Sequence, residues 1–190
     1  ILDQFKDDEL DYLCFCANSF DNEKNMYGGR KITSDYSVRC FLKRKSELSI
    51  NMLKYKNFAC WNKMYNKLYL EKNNIVFESS IVNNDVWFSF QVPLHATSFK
   101  VISDELYCCT YSPNSLTYQK RSIEREFEFY KMSKKRNGFY KYLSLGKGFI
   151  RYDFIYLPYI IKKRGLVSAV KFYHYVWTHK EDLYMAEKEY

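Results

Sequence analysis

The sequence predicts an α+β fold: a small open sheet with helices on one face and a long projecting β-hairpin, extended at both ends. Three observations predict it. In Leu48–Leu53 the apolar Leu48, Ile50 and Met52 alternate with Ser49 and Asn51, the period of a half-buried strand. Phe58, Trp61, Met64 or Tyr65, and Leu68 then recur at three- and four-residue spacing, with Asn62, Lys63, Asn66 and Lys67 on the other face, the stripe of an amphipathic helix. Val86, Phe88, Phe90 and Val92 alternate with Trp87, Ser89 and Gln91 in a second strand that runs into Pro93. Strands of this kind are buried by helices laid on one face of an open sheet.

The remaining elements follow in order. Asp7–Ala17 reads as a short helix, then a polar, turn-rich stretch passes through Asn22, Asn25, Gly28 and Gly29, and Lys43, Arg44 and Lys45 lead into the first strand. Asn57 is the expected N-cap of the helix after it. Asn73–Asn74 and Asn83–Asn84 supply turn chemistry around a short Ile75–Phe77 run. The hairpin, 91–115, carries the segments PLHAT (93–97) and YSPNS (111–115), with a third strand over Leu106–Tyr111. Phe127 and Phe129 alternate with Glu126, Glu128 and Tyr130 in a fourth strand that ends in the cations Lys131, Lys134, Lys135 and Arg136. Beyond it, Gly138–Gly148 is basic, Leu157-Pro158 marks a break, and Lys162-Lys163-Arg164-Gly165 reads as a turn or a bend facing nucleic acid. After Ser168 as cap, Ala169, Phe172 or Tyr173, Val176 and Trp177 form a helical stripe that docks on a neighbouring protein or on the domain itself. The expected organisation is an N-terminal extension 1–47, an α+β body 48–136 with the hairpin 91–115, and 137–190 as the C-terminal completion of the body and a helical extension.

A chain of 190 residues with 47% apolar content can bury one core with extensions, or at most two small ones. Tyr (19) and Phe (15) are abundant while Gly (6) and Pro (3) are scarce, which points first to an AT-rich coding genome and so makes aromatic richness a weak functional signal. The net charge of +8 is uneven: seven acids against Lys6 and Lys24 in 1–24 leave +13 on the remainder. Such a basic body attracts polyanions through counterion release, although a solvated lysine-rich surface would give the same count. No run approaches the ~20 apolar residues of a membrane span, since Phe149–Ile161 is broken by Arg151, Asp153 and Pro158, so no membrane is expected as a partner.

The six cysteines, Cys14, Cys16, Cys40, Cys60, Cys108 and Cys109, read as reduced thiols in a chain too rich in core residues to need staples. Adjacent Cys108 and Cys109 in a strand point to opposite faces, and no Cys-x-x-Cys pair supports zinc at Cys14, Cys16, Cys40 and Cys60. An enzyme is the rival reading. Its best case, a metal-dependent hydrolase on His174 and His179 followed by Glu181 and Asp182, suffers from histidines five apart, about 140° around a helix. Asp85 with Asp104 and Glu105 lacks a following lysine at the position a nuclease strand would need. A cysteine nucleophile served by His95 has no glycine-rich oxyanion loop. No catalytic residue, metal, cofactor or small-molecule substrate is therefore expected.

The middle of the chain resembles the small-subunit ribosomal protein ten family of bacteria and organelles. That family has a first strand and helix, a strand ending in Gly-Pro-Ile-Pro-Leu-Pro-Thr, an apolar strand ending in Ser-Pro-His, and a segment of the type Arg-Glu-Gln-Phe-Glu-Ile-Arg-Thr-His-Lys-Arg. Gln91-Val92-Pro93-Leu94-His95-Ala96-Thr97 is similar to the first motif, Cys109-Thr110-Tyr111-Ser112-Pro113-Asn114 to the second, and Arg125–Lys135 to the third. The resemblance covers 48–136; the glycine and two of three prolines before the hairpin are absent, Ser-Pro-His reads Ser-Pro-Asn, and Thr-His reads Met-Ser.

What the resemblance implies is a structural constituent of the small ribosomal subunit head, binding ribosomal RNA and neighbouring ribosomal proteins. The divergence, the extensions and the AT-rich composition place it in the mitochondrial matrix. The residues expected to meet RNA are His95, Thr97, Ser98, Lys100, Ser112, Pro113, Asn114, Lys120 and Arg121 on the hairpin, and Lys131, Lys134, Lys135 and Arg136 beside it. Tyr111 and Tyr118 are candidates to stack on unpaired bases. A free-standing RNA-binding or antitermination-type factor is the alternative.

Overall fold

A computed structural model describes residues 9–27, 30–80, 82–110, 121–146, 148–150 and 156–188. The fold is mixed α+β, as the sequence predicts, and the chain divides into two compact units, 1–79 with 84–119 and 80–83 with 120–190. The division at 119/120 runs through the expected body 48–136, and 9–47 belongs to the first unit.

The first unit is built on strand β1 (Tyr12–Asp21), whose residues are almost all buried. Strand β4 (Phe99–Thr110) runs parallel to β1 along one edge, while β2 (Met26–Tyr27) and β3 (Lys63–Tyr65) pair antiparallel at its two ends. A strand paired along both edges is central, so Tyr12, Leu13, Cys14, Phe15, Cys16 and Ala17 form a continuous apolar run. The expected helix over 7–17 is therefore a strand from Tyr12 onward, because periodicity cannot separate a fully buried strand from a buried helix.

Alternate residues of β1 serve two cores. Tyr12, Cys14 and Cys16 pack with Val38, Phe41, Leu53, Tyr69, Phe88 and Val92, whereas Leu13 and Phe15 pack with Leu10, Met64 and Ile102. The first cluster is supplied by helices α1 (Arg30–Lys43), α2 (Glu47–Tyr55), α3 (Lys67–Lys72) and α4 (Asn84–His95).

Three expected strands are helices. Leu48–Leu53 lies in α2, where Ser46 caps the start, exchanging hydrogen bonds with Ser49. Leu48 is exposed there, while Ser49 and Leu53 are buried at helical spacing. Val86–Val92 lies in α4, which is buried on so much of its surface that its alternation carried no facing information. Phe127 and Phe129 lie in the long helix α5 (Ile123–Tyr142). Conversely, the helix expected after Asn57 is β3 followed by α3, whose cap is Asn66, its side chain accepting from the Leu68 and Tyr69 amides. The projecting hairpin 91–115 is also corrected: Gln91–His95 is helical and Phe99–Thr110 is paired strand, while 111–115 lies outside the described residues. The expected asparagine turns are present, Asn25, Asn74 and Asn83 all adopting positive φ.

The second unit is helical. Helix α5 packs against α7 (Leu166–Thr178) and α8 (Lys180–Glu187), and α7 packs against α6 (Tyr156–Arg164). Phe127, Tyr130, Tyr156, Ile160, Ala169, Phe172 and Leu183 form its core. The stripe expected on α7 is right for Ala169 and Phe172, but its N-cap is Gly165 at φ +81°, not Ser168, and Trp177 faces outward.

Candidate nucleic-acid interface

Of the residues expected to line an RNA-binding hairpin, His95, Thr97, Ser98, Lys100 and Arg121 are among the described ones. His95 ends α4 and is exposed. The Thr97 amide and hydroxyl and the Ser98 amide all donate to Asp11 Oδ2, at 2.7, 3.1 and 2.9 Å, so these two residues clasp the start of β4 to the start of β1. Lys100 is a half-buried strand residue in register with Leu13. Ser112, Pro113, Asn114 and Lys120, with Tyr111 and Tyr118, lie outside the described residues.

The second group is used largely inside the helical unit. Arg121 lies 3.6 Å over the Phe129 ring and pairs with Glu126 at 3.4 Å. Lys131 pairs with Glu128 at 2.7 Å, Lys134 reaches Glu187 at 3.9 Å and the face of Tyr130 at 5.6 Å, Lys135 is buried, and Arg136 is half-buried. The expected solvent-facing cluster at a strand end is thus corrected: on a helix these four side chains are spread around the axis and most of them point into packed surroundings.

A separate network centres on Glu126. Its carboxylate is buried and accepts from Tyr156 at 2.9 Å while pairing with Arg121 and with Arg164 at 3.1 Å. Arg164 also donates to the Arg121 carbonyl, locking α6 to the entrance of α5. Burial first, then the neighbouring Glu126, pushes the Tyr156 phenol upward. Lys141 takes the other Glu187 oxygen at 2.5 Å.

Three of the carboxylates in this unit are thereby engaged internally. Residues 120–190 hold sixteen Lys and Arg against eight Asp and Glu, a balance of +8, so the whole net charge of the chain resides in the second unit and the first is neutral. Between Asp153 and Glu181 the sequence has no acid but contains Lys162, Lys163, Arg164, Lys171 and Lys180. Arg164 turns inward onto Glu126, whereas the four lysines are exposed. Among the described residues no carboxylate lies in ion-pair range of Lys162, Lys163 or Lys171. Lys163 lies 5.1 Å from the Tyr159 ring and Lys180 5.9 Å from Trp177. The turn expected at 162–165 is the last turn of α6 followed by Gly165, and Lys171 and Lys180, in the same acid-free run, extend its positive charge.

Chemistry elsewhere is engaged in structure. Lys63, buried in β3, donates from Nζ to the Asn57 and Ala59 carbonyls at 2.8 and 2.5 Å, and burial lowers its pKa. Burial pushes the facing Cys14 thiol up to about 11, Lys63 partly opposing it. All six cysteines are free, and Cys108 is exposed where Cys109 is buried, as strand alternation requires. His179 stacks on Tyr175 at 4.0 Å with Nδ1 2.9 Å from the Tyr175 carbonyl, and Glu105 pairs with Arg39 at 3.0 Å. Among the described residues no group of three His, Cys, Asp or Glu is placed to hold a metal ion, and no helix is long and apolar enough to cross a membrane.

No family model, curated protein or solved structure matches the chain. The motif order that resembles the ribosomal family stands in the sequence, but its first and second strands are α2 and α4 here, and its third motif lies in α5.

Proposed function

We propose that the protein is a noncatalytic RNA-binding subunit of a ribonucleoprotein, the small ribosomal subunit of mitochondria, where it contacts ribosomal RNA and neighbouring ribosomal proteins. The support is electrostatic rather than topological. One observation carries it: a unit that engages three of its eight carboxylates on internal pairs while holding Lys162, Lys163, Lys171 and Lys180 toward solvent presents a surface suited to a polyanion. The assembly itself is named by the order of the motifs at 91–97, 109–114 and 125–135.

The test is binding of the full chain to ribosomal RNA across salt concentrations. Replacing Lys162, Lys163 and Lys171 with Glu should reduce the slope of log K against log salt by about two to three, given about 0.7 to 0.9 per phosphate contact. An unchanged slope, or binding indifferent to salt, refutes the reading. Sedimentation separates the assemblies: co-migration with small-subunit RNA supports the ribosome, and migration as a small free complex supports the free-standing factor.

A further inference from the structure

Helix α7 is apolar on two faces. One face, Ala169 and Phe172 with Val176, enters the core of its unit. On the other, Leu166, Val167, Val170 and Trp177 are all more than 60% exposed. At about 100° per residue, Leu166, Val170 and Trp177 fall within about 40° of arc, and Val167 and the exposed His174 complete a face about 100° wide. The face is about 16 Å long, the eleven steps from Leu166 to Trp177 rising about 1.5 Å each. Lys171 flanks it, Lys162 and Lys163 stand at its start on the last turn of α6, and Lys180 stands at its end over Trp177. Glu181 and Asp182, also exposed, follow Lys180 at that end, so the positive field is strongest toward the N-terminus of α7.

We infer that this face binds a single-stranded RNA segment, with an unpaired base stacked on Trp177 and the phosphates running toward Lys171, Lys162 and Lys163. The inference rests on the proposed function and specifies its ligand. A duplex offers a protein phosphates and ribose, which match the lysines but leave the apolar side chains against a charged backbone. An unpaired strand offers both partners at once, flat apolar base faces and a polyanionic edge. A uniformly anionic bilayer would meet Glu181 and Asp182 beside Trp177, whereas a strand whose base sits there and whose phosphates lead away does not.

The test uses the full chain carrying Trp61→Phe and Trp87→Phe, which leaves Trp177 as the only indole. Titration with a single-stranded ten-nucleotide RNA without self-complementarity should quench its emission, and the same strand annealed to its full complement should bind at least about tenfold more weakly. In the parent chain, Trp177→Ala should weaken single-strand binding by about five- to 150-fold, the range that removal of one stacking platform produces, and Trp177→Phe should restore most of it. Because Trp177 is exposed, unchanged circular dichroism is expected for both variants. Equal affinity for duplex and single strand, or no effect of Trp177→Ala, overturns the inference while leaving RNA binding intact. Loss of all RNA binding overturns the proposed function too. Response of Trp177 to vesicles containing 30% phosphatidylglycerol, with none to RNA, would assign the face to lipid and also overturn it.

Discussion

Substituting Asp35 tests how the central strand is held to its first helix. The register of β1 on β4 slips between Cys14 and Cys16 and again between Cys16 and Ala17, so that Cys14 faces Val101 but Ala17 faces Tyr107. At this irregularity the Ala17 amide donates 2.6 Å to Asp35 Oδ1, on α1. Asp35 is 1% exposed, and its other oxygen accepts from Arg39 at 2.9 Å. Arg39 is half in solvent and is held by Glu105 as well, so its pair with Asp35 should contribute under about 1 kcal/mol. The buried amide is different: losing a bond to a charged acceptor costs about 1.5 to 3 kcal/mol and leaves a donor unsatisfied. Asp35→Ala should therefore destabilise the first unit by about 3 kcal/mol. Asp35→Asn, which keeps an accepting carbonyl, should cost about 1 kcal/mol, and Arg39→Ala no more than about 1 kcal/mol. Urea unfolding followed by fluorescence in a Trp177→Phe background reads this unit alone, through Trp61, stacked at 5.0 Å on Tyr107, and Trp87. A Asp35→Ala variant within about 0.5 kcal/mol of the parent, or an Arg39→Ala variant equally destabilised, would refute the reasoning.

Glu126→Ala should destabilise the helical unit by about 3 to 5 kcal/mol, because it strands Arg121, Arg164 and the Tyr156 hydroxyl in packed surroundings; thermal unfolding monitored at Trp177 checks this, and Glu126→Gln should fall between. Alkali should weaken the first unit through Cys14. Its folded thiol pKa is raised from 9.0 to about 11, so its contribution is fully present below pH 9 and is lost as pH rises from 9 through 11. That shift corresponds to a loss on the order of 3 kcal/mol, and Cys14→Ala should flatten the fall in stability over this window, measured by urea titration at pH 8, 9, 10 and 11.

Parts of this molecule were legible because they depend on local chemistry. Asparagines at 74 and 83 take positive φ because their side chains tolerate it, and Cys108 and Cys109 part to opposite faces because any strand parts neighbours. Ala169 and Phe172 were readable as core because α7 has a distinct inward stripe. The failures share a cause as well. Alternation over five to seven residues, as at 48–52 and 86–92, fits a strand or a heavily buried helix equally, and the Ser46–Ser49 capping box that decides for α2 is short and unobtrusive. In α5 the buried positions include Glu126, Ser133, Lys135 and Asn137, so a polar helix threaded through its unit left no apolar stripe to read.

The candidate interface divides in the same way. By itself the sequence determined the α+β class, the surplus of cations, and the acid-free stretch before Glu181, because composition and charge do not depend on the path of the chain. Only the tertiary structure decided which cations remain for a partner. It turned Arg121, Arg164 and Lys135 inward, set Lys131, Lys134 and Lys141 against carboxylates, and left Lys162, Lys163 and Lys171 in solvent beside an apolar face. The physical reason is that a charge acts through its neighbours and its exposure, and both are set by contacts between residues far apart in the chain.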